Sequence, residues 1–294
     1  MNFSGFILCS LSVMKKILVP TDLSPIAELG LKLAVDIAQR AGASVSLVNF
    51  TKHPFNKTFT AMGDLNTKLD DEADLFNIQL LHVNKQKLEA LAVKYNKDVL
   101  IEFSIVDDEF KEGVDHYLTE EDVDLVVLGT SGEENIKEVF TGNHTEQVIK
   151  ISKCPVISVR DGFNTKYFGN IVLAVNKIEE EMIVHGITSL RDIADFFDAK
   201  VHLVHVMHSV KDSTTDLVDY FKGIAEKSGL KKFTVNILEA HDYPEGIITF
   251  ARQVNAGLIA VIKNSHDGVF RIFSPHFSNR LVKEVGSPVV TINA

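Results

Sequence analysis

The sequence predicts an α/β protein of two tandem domains, each with a five-stranded parallel sheet and helices on both faces. Apolar strand segments alternate with amphipathic helical segments along the chain, which is typical of right-handed βαβ crossovers. The pattern that begins at residue 16 starts again at residue 170. With 294 residues, the chain is long enough for two domains that each bury a core.

An internal repeat supports this division. Pro155 matches Pro288, each directly before a short apolar strand, at a shift of 133 residues. Asp22 matches Asn176, each after the first strand of its copy, at a shift of 154 residues. The two shifts differ by 21 residues, which predicts an insertion of that length in the first copy, mostly within the polar stretch 51–75.

The elements of the first copy follow from local signals. Residues 16–20 form a continuous apolar run, as expected for a strand that is buried on both faces. Helix 25–41 is bounded by Ser24 as N-cap, Pro25 at its first position and Gly42 at its end. The same pattern then predicts strands 45–50, 98–105, 124–129 and 156–159, and helices 76–95, 110–120 and 143–151.

The second copy repeats this order. Its predicted strands are 170–175, 201–207, 233–239, 258–262 and 289–292, and its predicted helices are 179–196, 213–228, 244–254 and 275–285. We therefore place the first domain at residues 14–160 and the second at residues 166–294. Residues 1–13 are interpreted as an extension upstream of a natural start at Met14. An N-terminal arm and, less favoured, a cleaved signal are the alternatives.

Composition narrows the classes of partner. The formal net charge is −10, which argues against nucleic acid or an anionic membrane as the main partner, because both require a basic face. No apolar run reaches the length of a spanning helix. The two cysteines, Cys9 and Cys154, form neither a disulfide framework nor a zinc site, so a cytoplasmic location fits.

A glycine-rich loop is the candidate binding motif. Gly129 and Gly132 follow a predicted strand, and nine residues later Gly142 and Asn143 open a predicted helix. Glycines allow close approach of backbone to a phosphate, and a helix start offers free N–H groups and the positive end of its dipole. Turn formation alone is the alternative explanation for these glycines. Asp22, after the first strand, is expected at the same sheet edge, where it can accept a hydrogen bond from a ribose or a base.

These segments resemble the universal stress protein family from Met14 to Ala294. The resemblance rests on residues 17–22, on the pattern Gly129-x2-Gly132-x9-Gly142-Asn143 and on residues 154–159. It implies two Rossmann-like domains of the adenine nucleotide alpha hydrolase type, and ATP, with or without Mg²⁺, as ligand. The family usually has Ser or Thr at the position of Asn143. The resemblance places these residues at the nucleotide: Pro20, Thr21, Asp22, Phe50, Leu128, Gly129, Gly132, Gly142, Asn143 and His144. Among them, Phe50 and Leu128 would lie against the base.

The second copy lacks this pattern. At the shift of 133 residues, the glycine motif is replaced by Ile262, Ser265, Pro275 and His276. A β-branched residue and a proline remove the backbone freedom and the N–H that a phosphate loop needs. We therefore expect nucleotide in the first domain only.

Three functional hypotheses remain at this stage. The first is an ATP-binding regulatory or stress-response protein with slow hydrolysis or autophosphorylation at most, because the motif offers phosphate donors but no evident general base. The second is a non-catalytic scaffold or small-ligand-binding protein. A dedicated enzyme such as a nucleotidyl transferase is the third, and no catalytic motif supports it.

Two further expectations concern metals and association. His202 and His205 lie on opposite faces of one predicted strand, so with His208 they do not make a simple metal site. The resemblance implies association through last strands, which two domains in one chain can satisfy internally by pairing 156–159 with 289–292. A homodimer of chains is a further possibility.

Overall fold

The computed structural model describes residues 14–52, 72–96, 99–130, 142–207, 213–263, 281 and 284–293, and for residues 72–77, 142 and 143 it describes the backbone alone. Residues 1–13 and most of the predicted helix 275–285 therefore lie outside the described residues. So do Gly132, Ser265, Pro275 and His276.

The first half of the chain alternates strands and helices. Its elements are β1 (Lys16–Pro20), α1 (Pro25–Ala41), β2 (Ser44–Phe50), α2 (Glu72–Tyr95), β3 (Ile101–Val106), α3 (Phe110–Glu120), β4 (Leu125–Gly129), α4 (Gly142–Ile151) and β5 (Val156–Val159).

A short linker with a 3₁₀ turn at Thr165–Tyr167 leads into the second half. The elements there are β6 (Asn170–Ala174), α5 (Glu180–Phe196), β7 (Lys200–Met207), α6 (Thr214–Lys227), β8 (Phe233–Glu239), α7 (Tyr243–Gln253), β9 (Leu258–Lys263) and β10 (Val289–Asn293).

The ten strands form one sheet in the order β3-β2-β1-β4-β5-β10-β9-β6-β7-β8. Within each half the paired strands are parallel, and the halves meet where β5 pairs antiparallel with β10, with Val289 opposite Ser158. This pairing protects two strands that would otherwise be sheet edges. The predicted α/β class, with a parallel-dominated sheet and helices, is confirmed.

The antiparallel junction fixes how the two halves face one another. Because β5 and β10 run in opposite directions, the carboxyl edge of the first half lies beside the amino edge of the second. Equivalent loops of the two halves therefore lie on opposite edges of the sheet.

Helix α1 has the predicted ends and the predicted caps. The Ser24 side chain accepts a hydrogen bond from the N–H of Ala27, Pro25 occupies the first turn, and Gly42 ends the helix with a φ of 70°. Its buried face includes Leu31, Ala34 and other small or apolar residues that pack on the sheet. The largest differences from the predicted boundaries are that α2 begins at Glu72 instead of 76 and that β3 begins at Ile101 instead of 98. No helix among the described residues is long and apolar enough to cross a membrane.

Candidate functional site

The candidate site lies at the carboxyl edge of the first half, where β1 stands between β2 and β4. Ile17 pairs with Leu125, so the loops after β1 and β4 emerge side by side. The strand order reverses at this point, and open α/β sheets bind ligands in such crevices. The topology therefore brings together Asp22, Gly129 and the start of α4.

The loop after β1 is held by its own side chains. The hydroxyl of Thr21 accepts a hydrogen bond from the N–H of Leu23 at 3.0 Å, and Oδ1 of Asp22 accepts one from the N–H of Ser24 at 2.9 Å. Between them Leu23 has a φ of 65°, a left-handed conformation that side chains disfavour. Strained backbone that local contacts maintain is typical of ligand-binding loops.

A buried asparagine fixes the same loop from below. Nδ2 of Asn49 on β2 donates to the carbonyl of Thr21 at 2.7 Å, and its Oδ1 accepts from the hydroxyl of Thr51 at 2.9 Å. Sequence reasoning missed Asn49, although a polar residue within the apolar strand 44–50 was a usable signal. In the second half His205 takes the corresponding place, with its Nδ1 3.0 Å from the carbonyl of Val175.

Gly129 is required by helix packing. A Cβ added there would lie 1.8 Å from the carbonyl oxygen of Ile26 in the first turn of α1. A Cβ added to Gly30 would lie 2.8 Å from the backbone nitrogen of Gly129. The two glycines thus let α1 pack directly against the end of β4. This packing is a structural reason for glycine at position 129, in addition to the predicted phosphate contact.

Several residues predicted at the nucleotide are buried in the protein. Phe50 is 7% exposed and packs edge-on against Phe110 and Tyr117 of α3, at centroid distances of 6.1 and 6.2 Å. Thr21 and Leu128 are 2% and 1% exposed, and Pro20 is also buried. These residues belong to the interior of the first half, and their contact with a base remains a prediction.

His144 lies in the first turn of α4. It is the third residue of α4, is half-buried, and packs edge-on against the ring of Phe110 at 4.2 Å. Burial lowers the pKa of its imidazole below the ordinary value, while the negative charge of Asp22 acts in the opposite direction. The ring contact places the first turn of α4 against the start of α3.

The second half has filled the equivalent place. Ile262, the penultimate residue of β9, stands at the position of Gly129 in β4, and it is 3% exposed. A Cβ added to Gly186 of α5 would lie 2.4 Å from Cδ1 of Ile262, so that side chain occupies the space against the helix. Where α1 approaches bare backbone in the first half, α5 packs on an isoleucine.

The histidines of the second half have structural partners. Nδ1 of His202 lies 2.8 Å from Oγ1 of Thr234, and its Nε2 lies 3.1 Å from Oδ1 of Asn170. His205 points to the other face, against the ring of Phe221. His208 lies outside the described residues. Within the described part of the chain, no group of three or more His, Cys, Asp or Glu is placed to hold a metal ion.

Comparison with known proteins agrees with this architecture. The model of the universal stress protein family matches residues 14–160. The chain is 30% identical over 162 residues to a universal stress protein of Methanocaldococcus jannaschii, a match that covers 51% of this chain and 98% of that protein. A second universal stress protein of that organism is 26% identical over 160 residues, with 51% of this chain and 84% of that protein covered.

Similarity to solved structures extends over both halves. The universal stress protein from Archaeoglobus fulgidus superimposes with a TM-score of 0.65 at 16% identity, covering 95% of this chain and 96% of that one. This likeness concerns the fold. Because the family model accounts for half of the chain and the matched archaeal protein is covered almost completely, the chain belongs to the universal stress protein family.

Proposed function

We propose that the first half, within residues 14–160, binds ATP at the crevice between the loop after β1 and the start of α4, in a regulatory or stress-response role. The observation that supports this proposal is the parallel pairing of β1 with β4, which brings the loops after these two strands side by side at the carboxyl edge of the sheet. A carboxylate at Asp22 would then accept from a ribose, and the start of α4 would offer N–H donors to the phosphates.

The proposed contacts follow the chemistry of the groups. The carboxylate of Asp22 accepts from a ribose hydroxyl, while its Oδ1 keeps the bond from Ser24 that shapes the loop. The N–H groups at Gly142 and Asn143, with the loop that contains Gly132, receive the phosphates. We assign any Mg²⁺ to the nucleotide phosphates, whose oxygens are ligands that Mg²⁺ prefers.

The proposal assigns nucleotide to the first half alone. Ile262 against Gly186 supports this asymmetry, since the side chain stands where the first half has a glycine. Asn176 replaces Asp22, and an amide is a weaker acceptor than a carboxylate. We place the second domain, within residues 166–294, as a structural partner.

A matched pair of substitutions tests the site. Gly132→Val introduces a β-branched side chain into the proposed phosphate loop, and Ser265→Val makes the same side chain at the equivalent position of the second half. Titration of ATP by calorimetry is expected to show loss of binding for Gly132→Val and unchanged binding for Ser265→Val. Unchanged ATP binding in a folded Gly132→Val protein would remove the site assignment.

The competing proposal is a non-catalytic scaffold in which neither half turns over nucleotide. The burial of Thr21, Phe50 and Leu128 favours it, because these buried side chains offer little surface to a ligand. Calorimetric titration measures whether ATP binds at all. With ATP labelled at the γ-phosphate, any release or transfer of the label would contradict the scaffold. We expect slow turnover at most, and a cytoplasmic location is part of the same proposal.

The pairing of β5 with β10 bears on association. It uses the last strand of each half within one chain. A homodimer of chains would therefore need another surface, and sedimentation of the purified protein measures whether one forms.

A further inference from the structure

The second half reaches across the sheet junction to the helix that opens the proposed phosphate site. Nδ2 of Asn293, at the end of β10, lies 2.9 Å from the carbonyl oxygen of Ile149 and 2.6 Å from that of Ser152. Nζ of Lys263, at the end of β9, lies 3.2 Å from the same Ile149 oxygen. We name these four residues the α4 anchor.

These bonds form at the carboxyl end of α4, which ends at Ile151. The last carbonyls of a helix lack partners within the helix and carry the negative end of its dipole. An amide donor and an ammonium group are the two kinds of group that suit such an end. The antiparallel junction makes the contact possible, because the carboxyl ends of β9 and β10 lie on the edge where α4 ends.

The same residue positions differ in role between the halves. Lys263 corresponds to Thr130, which follows Gly129 at the start of the proposed phosphate loop. Thr130 is buried, and its N–H donates to the carbonyl of Val159 within its own half. In the second half this position holds a long cationic side chain that contacts the other half.

From these contacts we propose that the second domain positions α4 for phosphate binding, with Asn293 and Lys263 as positioning residues. This inference rests on the proposed function. Helix α4 has ten residues, so it is about 15 Å long. Val148 is buried in the core, His144 of the first turn packs against Phe110, and the anchor fixes the carboxyl end, so the placement of the helix depends on all three contacts. Hydrogen bonds to a phosphate weaken steeply with misplacement, which makes the first turn sensitive to the anchor.

The test compares ATP with adenosine, because only ATP has phosphates that the start of α4 would bind. Asn293→Ala is expected to weaken ATP binding about 3- to 10-fold, the loss typical of one or two hydrogen bonds, and to leave adenosine binding unchanged. In Asn293→Asp the new side chain has nearly the same shape, but it cannot donate a hydrogen bond and places negative charge at the carboxyl end of the helix. This variant should therefore bind ATP no more tightly than Asn293→Ala. Lys263→Met should weaken ATP binding in the same direction, and Lys263→Arg should retain it.

The matched control is Asn236→Ala. The Asn236 side chain donates to the carbonyl of Leu203 and to Oγ1 of Thr234, within the second half. This variant loses the same chemical group without touching α4, so its affinity for ATP should equal that of the wild type.

Amide hydrogen exchange gives a second measurement that does not need a ligand. In the full chain without nucleotide, Asn293→Ala should raise exchange in α4 several-fold and leave α1 unchanged. Unchanged α4 exchange, or an equal loss of ATP and adenosine binding, would overturn the inference. Absence of ATP binding in the wild type would instead reject the proposed function, while faster α4 exchange in the variant would still support the anchor.

Discussion

The close approach of α1 to the end of β4 predicts that Gly129→Ala is strongly destabilising. The added Cβ would lie 1.8 Å from the carbonyl oxygen of Ile26, 2.6 Å from its carbonyl carbon and 3.1 Å from Cα of Ala27. These are backbone atoms of a capped helical turn, which cannot rotate away. The start of α1 would have to move by roughly 1.5 Å to restore ordinary contact distances.

Overpacking of a core costs about 1–3 kcal/mol, and contact with backbone places this change at the upper end, at about 3 kcal/mol of unfolding free energy. The movement also displaces the loop that carries Asp22, so ATP affinity should fall in parallel. Urea unfolding followed by circular dichroism measures the first effect, and calorimetric titration measures the second.

Gly223→Ala is the matched control. Gly223 is exposed in α6, and a methyl group added there meets nothing within 4 Å. Alanine stabilises an exposed helix position by about 0.5–1 kcal/mol relative to glycine. If Gly129→Ala proved as stable as Gly223→Ala, the close packing of α1 on β4 would be refuted.

Three further predictions concern single side chains. Asn49→Ala should lower the unfolding free energy by about 1–3 kcal/mol, because it removes the side chain that donates to the buried carbonyl of Thr21. The same change should weaken ATP binding. An unaltered urea midpoint would contradict the predicted loss of stability. Ile262→Ala should lower the unfolding free energy by about 2–4 kcal/mol, because it opens a cavity against Gly186. The variant should still bind no ATP in the second half. A second bound ATP per chain would contradict the steric explanation of the asymmetry. Burial, then the charge of Lys200, lowers the pKa of His202, so the folded state resists its protonation. The contribution of His202 to the unfolding free energy is therefore present above the unfolded-state pKa of about 6.5 and is lost as the pH falls below it. His202→Gln should flatten this dependence between pH 7.5 and 5, and an unchanged slope of the urea midpoint would oppose it.

The elements that could be predicted from the sequence are those whose signals are local. The ends of α1 were recognisable because Ser24, Pro25 and Gly42 each act on their own turn. The start of β3 was misplaced because Leu100 continues an apolar run in the sequence, yet it is exposed and precedes the strand. Periodicity does not distinguish an apolar residue in a strand from one just before it.

The site was predictable only in outline. Asp22 and the opening of α4 were placed at one edge of the sheet because each follows the carboxyl end of a predicted parallel strand. The packing reason for Gly129 depends on Ile26, about a hundred residues away, and the α4 anchor depends on the antiparallel junction. Such contacts between distant segments leave no periodic trace in one sequence, so they required the three-dimensional arrangement.

The proposed function gives each chain one nucleotide site, in the first half. Native mass spectrometry of the wild-type chain measures the stoichiometry of bound ATP, with calorimetry as a check. We expect one ATP per chain, lost in Gly132→Val and retained in Ser265→Val. Two ATP molecules per chain, or one that survives Gly132→Val and disappears in Ser265→Val, would contradict it.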